Sequence, residues 1–262
     1  MKNSIKVSII TVCLNAVTTI GKTIKSVASQ SYNNIEHIVV DGGSSDGTLK
    51  ILKKYNKYIT QWISEPDNGI YDAMNKGLDL AGGEIVMFLN ANDIFNNRKI
   101  IGKIIKEFEN DKADIIYGNV RMISHENNID YIQKYNNVDK IYLTTKNICH
   151  QAMFSRKKLY NRYGSFNTSY KIAGDYDWYL RMILENNVTS HYVDIIVSVF
   201  SLDGVSGDLK YRKATLTEFN RVARQYFAYR DRLIGKIRYL PEYIKWLVYQ
   251  NIVKSARRII NK

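Results

Sequence analysis

Proline, cysteine and histidine are scarce in this chain, at two, two and four residues out of 262. With so little proline and no low-complexity run, no stretch reads as a flexible or proline-rich linker. Cys13 lies inside an apolar run and Cys149 beside His150, too far apart in sequence for a zinc-ligand spacing or a secreted disulfide framework. A reducing, cytoplasmic setting is therefore expected. No apolar stretch approaches the roughly 20 residues that cross a bilayer. The opening Met1-Lys2-Asn3-Ser4-Ile5-Lys6 leads straight into a strand-like run that meets Asn15, without the length or cleavage site of a signal peptide. Internal repeats are also absent.

What the chain has is apolar content, 45% of its residues, ample for a large core. It also has an uneven charge. Of the net +13, residues 211–262 carry +10, from thirteen Lys and Arg against Glu218, Asp231 and Glu242, leaving +3 for residues 1–210. A nearly balanced body with a basic tail points to an anionic partner for the tail, membrane lipid or nucleic acid.

Apolar runs and helical periods alternate along the body. Lys6 to Leu14 is β-branched and apolar, as a strand buried on both faces requires. Ile20, Ile24, Val27 and Ala28 then repeat at helical spacing, Ile35 to Val40 forms the next strand, and Ser45 or Asp46 can cap a helix carrying Leu49, Ile51 and Leu52. Ile59 to Ile63 predicts a short strand, Ile70, Ala73, Met74 and Leu78 a helix, and Glu84 to Asn90 a central strand. A helix over about 97–110, a strand over Asp114 to Val120, helix starts at Ser155 and Gly174, and closing β-structure from Val188 to Phe200 complete the reading. Residues 124–147 read as loop or weak strand. The order implies α/β architecture with parallel strands and right-handed crossovers.

Two strands end on polar groups, where ligands of open α/β sheets bind. One is Val39-Val40-Asp41-Gly42-Gly43-Ser44-Ser45-Asp46-Gly47, whose paired glycines permit close approach to a partner. The other is Phe88-Leu89-Asn90-Ala91-Asn92-Asp93. With Val7-Ser8-Ile9-Ile10-Thr11-Val12 plus Asn15, and Asn68-Gly69 through Ala73-Met74-Asn75-Lys76-Gly77, they make four blocks in order. Gly174-Asp175-Tyr176-Asp177-Trp178 is a fifth. On these blocks the chain resembles a family 2 glycosyltransferase of the GT-A fold over roughly residues 5–205, especially bacterial members that build surface polysaccharide.

The resemblance implies a Rossmann-like, mostly parallel sheet flanked by helices and an inverting transfer of a hexosyl or N-acetylhexosaminyl group. The implied donor is a nucleotide sugar, UDP-linked, and the acceptor a glycan or a lipid-linked glycan. By family position Thr11 and Asp41 line the nucleotide pocket with Asn15, and Asp67 and Asn75 complete the donor site. Helix capping by Asp67 or Asn68 is the alternative there. The metal motif departs from the family pattern, with Asn90 and Asn92 where acids are common. Asp93 is left as the full charge to hold Mg²⁺ or Mn²⁺ on the donor side, aided by Asn92, since amide oxygens also ligate hard cations. Asp175 takes the position of the base that deprotonates the acceptor hydroxyl. Asp177, His150 and Gln151 fall on the acceptor side, although both acids also suit the first turn of a helix, where the dipole favours them.

Residues 1–210 are therefore expected to form the glycosyltransferase domain, 1–95 binding donor and 96–210 acceptor, with residues 211–262 a basic helical extension. On a helical wheel Ile252, Val253, Ala256, Ile259 and Ile260 oppose Lys254, Arg257, Arg258 and Lys262, the pattern of an interfacial helix. That favours an anionic membrane surface, at the inner face of the cell membrane, over packing on the domain. Nucleic acid would leave the five blocks unexplained. The rival readings are a nucleotidyltransferase, which needs a glycine-rich basic loop that Asn15-Ala16-Val17-Thr18-Thr19 does not supply, and a non-catalytic nucleotide-sugar or polyanion binder.

Overall fold

The computed structural model describes residues 4–124, 128–203 and 212–241. At its centre lies β1 (Val7–Cys13), seven buried residues in a row, flanked by parallel partners β2 (Ile35–Asp41) and β4 (Ile85–Phe88), with β3 (Gln61–Ser64) beyond β2. Helices α1 (Ile20–Ala28), α2 (Thr48–Lys54) and α3 (Ile70–Leu80) make the crossovers. Alternation along β1 explains the layering. Ile10 and Val12 join one core with Met74 of α3, whereas Val7 and Ile9 join another on the opposite face, with Ile101 and Ile104 of α4 (Ile100–Asn110).

The second half enlarges the sheet. After β5 (Ile94–Phe95) come β6 (Ile115–Ser124), β7 (Ile129–Gln133), the single turn α5 (Lys140–Leu143), β8 (Met153–Arg156), α6 (Lys158–Tyr163), α7 (Gly174–Leu180) and β9 (Ser190–Ser201). The strand order is β3-β2-β1-β4-β8-β6-β9-β5, with β7 paired to β6. Because β8 is antiparallel to both β4 and β6, and β9 is parallel to β6, β3, β2, β1, β4, β6 and β9 all run one way. The sheet is thus mostly parallel, as expected.

Two expectations need correction. Ser155-Arg156 ends β8 rather than starting a helix, and α6 begins at Lys158. A four-residue strand is too short to display a period. Within 124–147, expected as loop or weak strand, β7 is a strand, and the departure is the helical turn α5.

Helix α8 (Arg212–Tyr226) and a further helix α9, described over 229–241, follow the sheet. Helix α9 lies on α5 so closely that a Cβ placed on Gly235 would collide with the Thr144 side chain. Ion pairs Lys140–Asp231, 2.7 Å, and Arg238–Asp139, 2.5 Å, flank that contact. The expected basic helix over 252–262 lies outside the described residues. Among the described residues no helix is long and apolar enough to cross a membrane.

Candidate active site

The carboxyl ends of β1, β2 and β4 share one edge of the sheet, and β8, running the other way, begins there. At the end of β2, Asp41 is out of solvent and accepts five bonds. They come from the amides of Gly43, 3.1 Å, and Ser44, 2.9 Å, the hydroxyls of Ser44, 2.5 Å, and Ser64, 2.7 Å, and the Cys13 thiol, 3.5 Å. Burial raises its pKa, but these bonds outweigh burial and hold the carboxyl below its usual range. Asp41 therefore shapes the loop 42–46 from inside, and a ligand would meet the loop rather than the acid. Asn15, in a left-handed conformation at φ 49°, braces the loop by accepting from the Ser45 amide at 3.0 Å. Asp67 lies against Gly42, so closely that any Cβ there would strike its carboxylate.

Across the edge, β4 delivers Asn90 and the turn before β8 delivers His150. Asn90 Nδ2 donates to His150 Nε2 at 3.1 Å, which leaves Nδ1–H to donate to Asp175 Oδ2 at 2.9 Å. That tautomer follows from the amide partner. Asp175 Oδ2 also accepts from Asn147 at 3.2 Å, and Oδ1 from the Tyr71 hydroxyl at 3.1 Å and the Tyr176 amide at 2.8 Å. A carboxylate held by these donors has one orientation yet keeps 13% of its side chain exposed. Burial, with the charge on Asp175 added to it, raises the pKa of Tyr71, so that hydroxyl stays a donor. Asn90 Oδ1 and Asn147 Oδ1 are both buried with no partner among the described residues, acceptors that a ligand hydroxyl or a water would satisfy. Behind the pair an aromatic recess is walled by Phe88, Phe166, Tyr160 and Trp178, the last two stacked at 4.5 Å.

Asp175 is placed by the first turn of α7. Gly174 abuts the Tyr71 ring so closely that a Cβ placed on it would fall 2.8 Å from two ring carbons. The three amides before that turn, Lys171 at 2.9 Å, Ile172 at 2.7 Å and Ala173 at 3.0 Å, donate to the carboxylate of Glu218 on α8. Helix α8 is fastened again where Phe219 stacks on Tyr176 at 4.9 Å and where the Tyr226 hydroxyl donates to Asp177 at 3.1 Å.

Several expected site residues prove to be internal. Thr11 is fully buried, donating to the Leu89 carbonyl at 2.8 Å and meeting His37 at 3.0 Å, and does not line a pocket. Asn75 spends both ends of its amide on the backbone of Phe166, at 2.9 and 3.0 Å, and so clamps 166 to α3 rather than touching donor. Asp177 is buried against Tyr226, and burial raises its pKa. Gln151 is buried and donates to Asp93 at 2.9 Å while accepting from the Cys149 thiol at 2.7 Å. Asn15, Asp67, Asn92, His150 and Asp175 remain at the cleft.

Asp93 does not fit the cation-ligand role expected of it. It is buried, its oxygens accept from Gln151 at 2.9 Å and from the Ser201 amide at 3.2 Å, and burial pushes its pKa up to about 7 against these two bonds. A carboxyl out of solvent, with each oxygen already accepting a protein hydrogen bond, is not presented to a cation on the donor side. Beside it stand amides, Asn90 and the left-handed Asn92 at φ 85°. Among the described residues no three His, Cys, Asp or Glu side chains form a metal-sized group.

Tyr71, Asn147 and Glu218 were not legible as site residues. Tyr71 lies inside the block Asn68 to Gly77 but carried no role there, Asn147 lies in no block, and Glu218 had one signal, being one of three acids in a basic segment of 52 residues, 211–262.

Comparison with known proteins follows the same geometry. The family model described as Glycosyl transferase family 2 matches residues 8–174. The PGL/p-HBAD biosynthesis glycosyltransferase of Mycobacterium bovis is 31% identical over 198 residues, 74% of this chain and 76% of that protein. The UDP-Glc:alpha-D-GlcNAc-diphosphoundecaprenol beta-1,3-glucosyltransferase WfgD of Escherichia coli is 30% identical over 243 residues, 87% and 93% of the two chains. Among solved structures, the mannosyltransferase PcManGT of Pyrobaculum calidifontis, in complex with GDP-Man and Mn²⁺, superposes with a TM-score of 0.66 at 16% identity, covering 98% of this chain and 87% of that one. S. aureus TarS does so at 0.60 and 19% identity, covering 75% of this chain, which spans only 36% of TarS. The fold is that of these GT-A enzymes.

Proposed function

Because the chain belongs to glycosyl transferase family 2, we propose that it transfers a hexosyl or N-acetylhexosaminyl group, with inversion, from a UDP-sugar to a glycan or lipid-linked acceptor, with Asp175 as the base. The observation that carries this reading is Asp175 itself, a partly exposed carboxylate fixed by four donors at the sheet edge where donor-binding loops converge. In the step, the acceptor O–H gives its proton to Asp175 as the oxygen attacks the anomeric carbon, and the bond to the nucleotide diphosphate breaks on the far side. His150, itself held by Asn90, keeps the carboxylate turned toward the cleft. The loop 42–46, with Asn15 and Asp67, faces the nucleotide.

The UDP donor and lipid-diphosphate acceptor are supported by the substrates in the name of the Escherichia coli relative. In the same reading residues 1–95 bind donor, 96–210 bind acceptor, and 211–262 place the enzyme at the inner face of a bacterial membrane. Turnover of a panel of UDP-sugars, with and without Mn²⁺, tests it. Asp175→Asn should keep UDP binding within about threefold while transfer falls at least about a hundredfold. Undiminished transfer would remove Asp175 as the base. UDP binding without any turnover would leave a non-catalytic binder.

A further inference from the structure

Helix α9 presents its apolar side to solvent. On a wheel of 100° per residue, the face against α5 holds Asp231, Gly235, Arg238 and Tyr239, polar or small apart from the tyrosine. The opposite face holds Tyr229, Leu233, Ile237 and Leu240, exposed to 73%, 45%, 63% and 50%, with Ile234 at 41% beside them. A surface helix normally turns such a stripe toward the core. Here it is turned away, and among the described residues none of these four joins the apolar clusters of the body. Arg230 and Lys236 border the stripe, and Asp231, the one acid among the helix's described residues, is neutralised by Lys140.

We infer that the stripe Tyr229, Leu233, Ile237 and Leu240 is the surface by which this protein lies on an anionic lipid bilayer, with Arg230 and Lys236 at headgroup level. Charge complementarity selects that occupant. An apolar stripe rimmed by cations, in a segment of net charge +10, suits anionic headgroups over acyl chains and repels a second copy of itself. Position supports it as well. Helix α9 rests on α5 and reaches Lys146 through Tyr239, 4.1 Å from ring centroid to ammonium, one residue from Asn147 beside Asp175. A membrane under α9 would thus adjoin the cleft on its acceptor side. The inference extends the proposed membrane location, but its geometry is independent of the chemistry.

The test is co-sedimentation of the full chain with vesicles of phosphatidylcholine alone or mixed with phosphatidylglycerol. Binding should require phosphatidylglycerol, and Leu233→Ser with Ile237→Ser should weaken it at least about tenfold. UDP binding and UDP-sugar hydrolysis in solution should be unchanged. Should the double variant not fold, Ile237→Trp alone should show a blue-shifted emission on anionic vesicles and none on neutral ones. Equal binding by parent and variant would overturn the inference, as would binding indifferent to lipid charge. So would a dimer in lipid-free buffer that the serines abolish, which would make a second copy the occupant. Vesicle binding without hydrolysis would overturn only the proposed activity, and hydrolysis without vesicle binding only this surface.

Discussion

Asp93 and His37 are buried groups whose pKa values are pushed in opposite directions. Burial raises Asp93 to about 7 from an ordinary 3.8, so the folded protein holds a proton the unfolded chain releases, and its contribution to stability falls as pH rises from about 4 to about 7. Burial lowers His37 to about 4 from 6.5, so the unfolded chain binds the extra proton, and stability rises with pH over about 4 to 6.5. The two slopes, each approaching about 1.4 kcal/mol per pH unit, nearly cancel in the shared window. Asp93→Asn should therefore tilt stability upward with pH relative to the parent, and His37→Gln should tilt it downward. Urea midpoints across that window measure both, and parallel curves for parent and variants would show that neither group is shifted. A second residue-scale expectation concerns Asn92, half-buried next to Asp93, at a position where the resemblance to the family implies an acid. Asn92→Asp supplies the carboxylate that the buried Asp93 does not, so Mn²⁺ should bind the UDP complex at least about tenfold more tightly in the variant. Calorimetric titration of Mn²⁺ checks it, independent of turnover. At this scale the sequence revealed where polar residues gather but not which way they face. Asp41 and Asp175 are both acids in ordered motifs, and only packing makes one an internal brace and the other a cleft carboxylate.

Helices and long strands were legible because burial imposes a period. Ile20, Ile24 and Val27 announce α1, and the unbroken apolar run of β1 announces a strand covered on both faces. Strand β8 was not, since four residues carry no period and its identity as the link between β4 and β6 is purely tertiary. That missed strand matters, because its antiparallel course is what brings His150 to Asn90. Glu218 is likewise an element-scale device. Its carboxylate collects three backbone amides just ahead of α7, the last of them the N-cap amide of Ala173, and so fixes α7 relative to α8. Glu218→Ala should lower kcat about tenfold or more while leaving the donor KM within about twofold, because it loosens the segment bearing Asp175 and touches nothing at the loop 42–46. Glu218→Gln, which can accept fewer of those bonds, should lie between. A rise in donor KM equal to the fall in kcat, or a loss of melting temperature with kcat intact, would reduce Glu218 to a general stabiliser.

For the molecule as a whole, the charge split of +10 and +3 separates two kinds of binding. Adsorption to lipid through residues 211–262 would involve exposed cations facing many headgroups at distances comparable with the Debye length, about 10 Å at 0.1 M salt, and must weaken steeply as salt screens it. On the proposed reading the donor would meet the loop 42–46, held from behind by the solvent-shielded Asp41, through short-range contacts that salt screens far less. Raising NaCl from about 0.05 to about 0.5 M should therefore release most of the protein from phosphatidylglycerol vesicles while the Kd for UDP moves less than about threefold. If both fell together, the tail's cations would be serving the diphosphate. Residues 211–262 would then belong to the donor site rather than to the membrane. If neither moved, apolar burial of Tyr229, Leu233, Ile237 and Leu240 would outweigh charge, and the basic rim would set only which lipid is preferred.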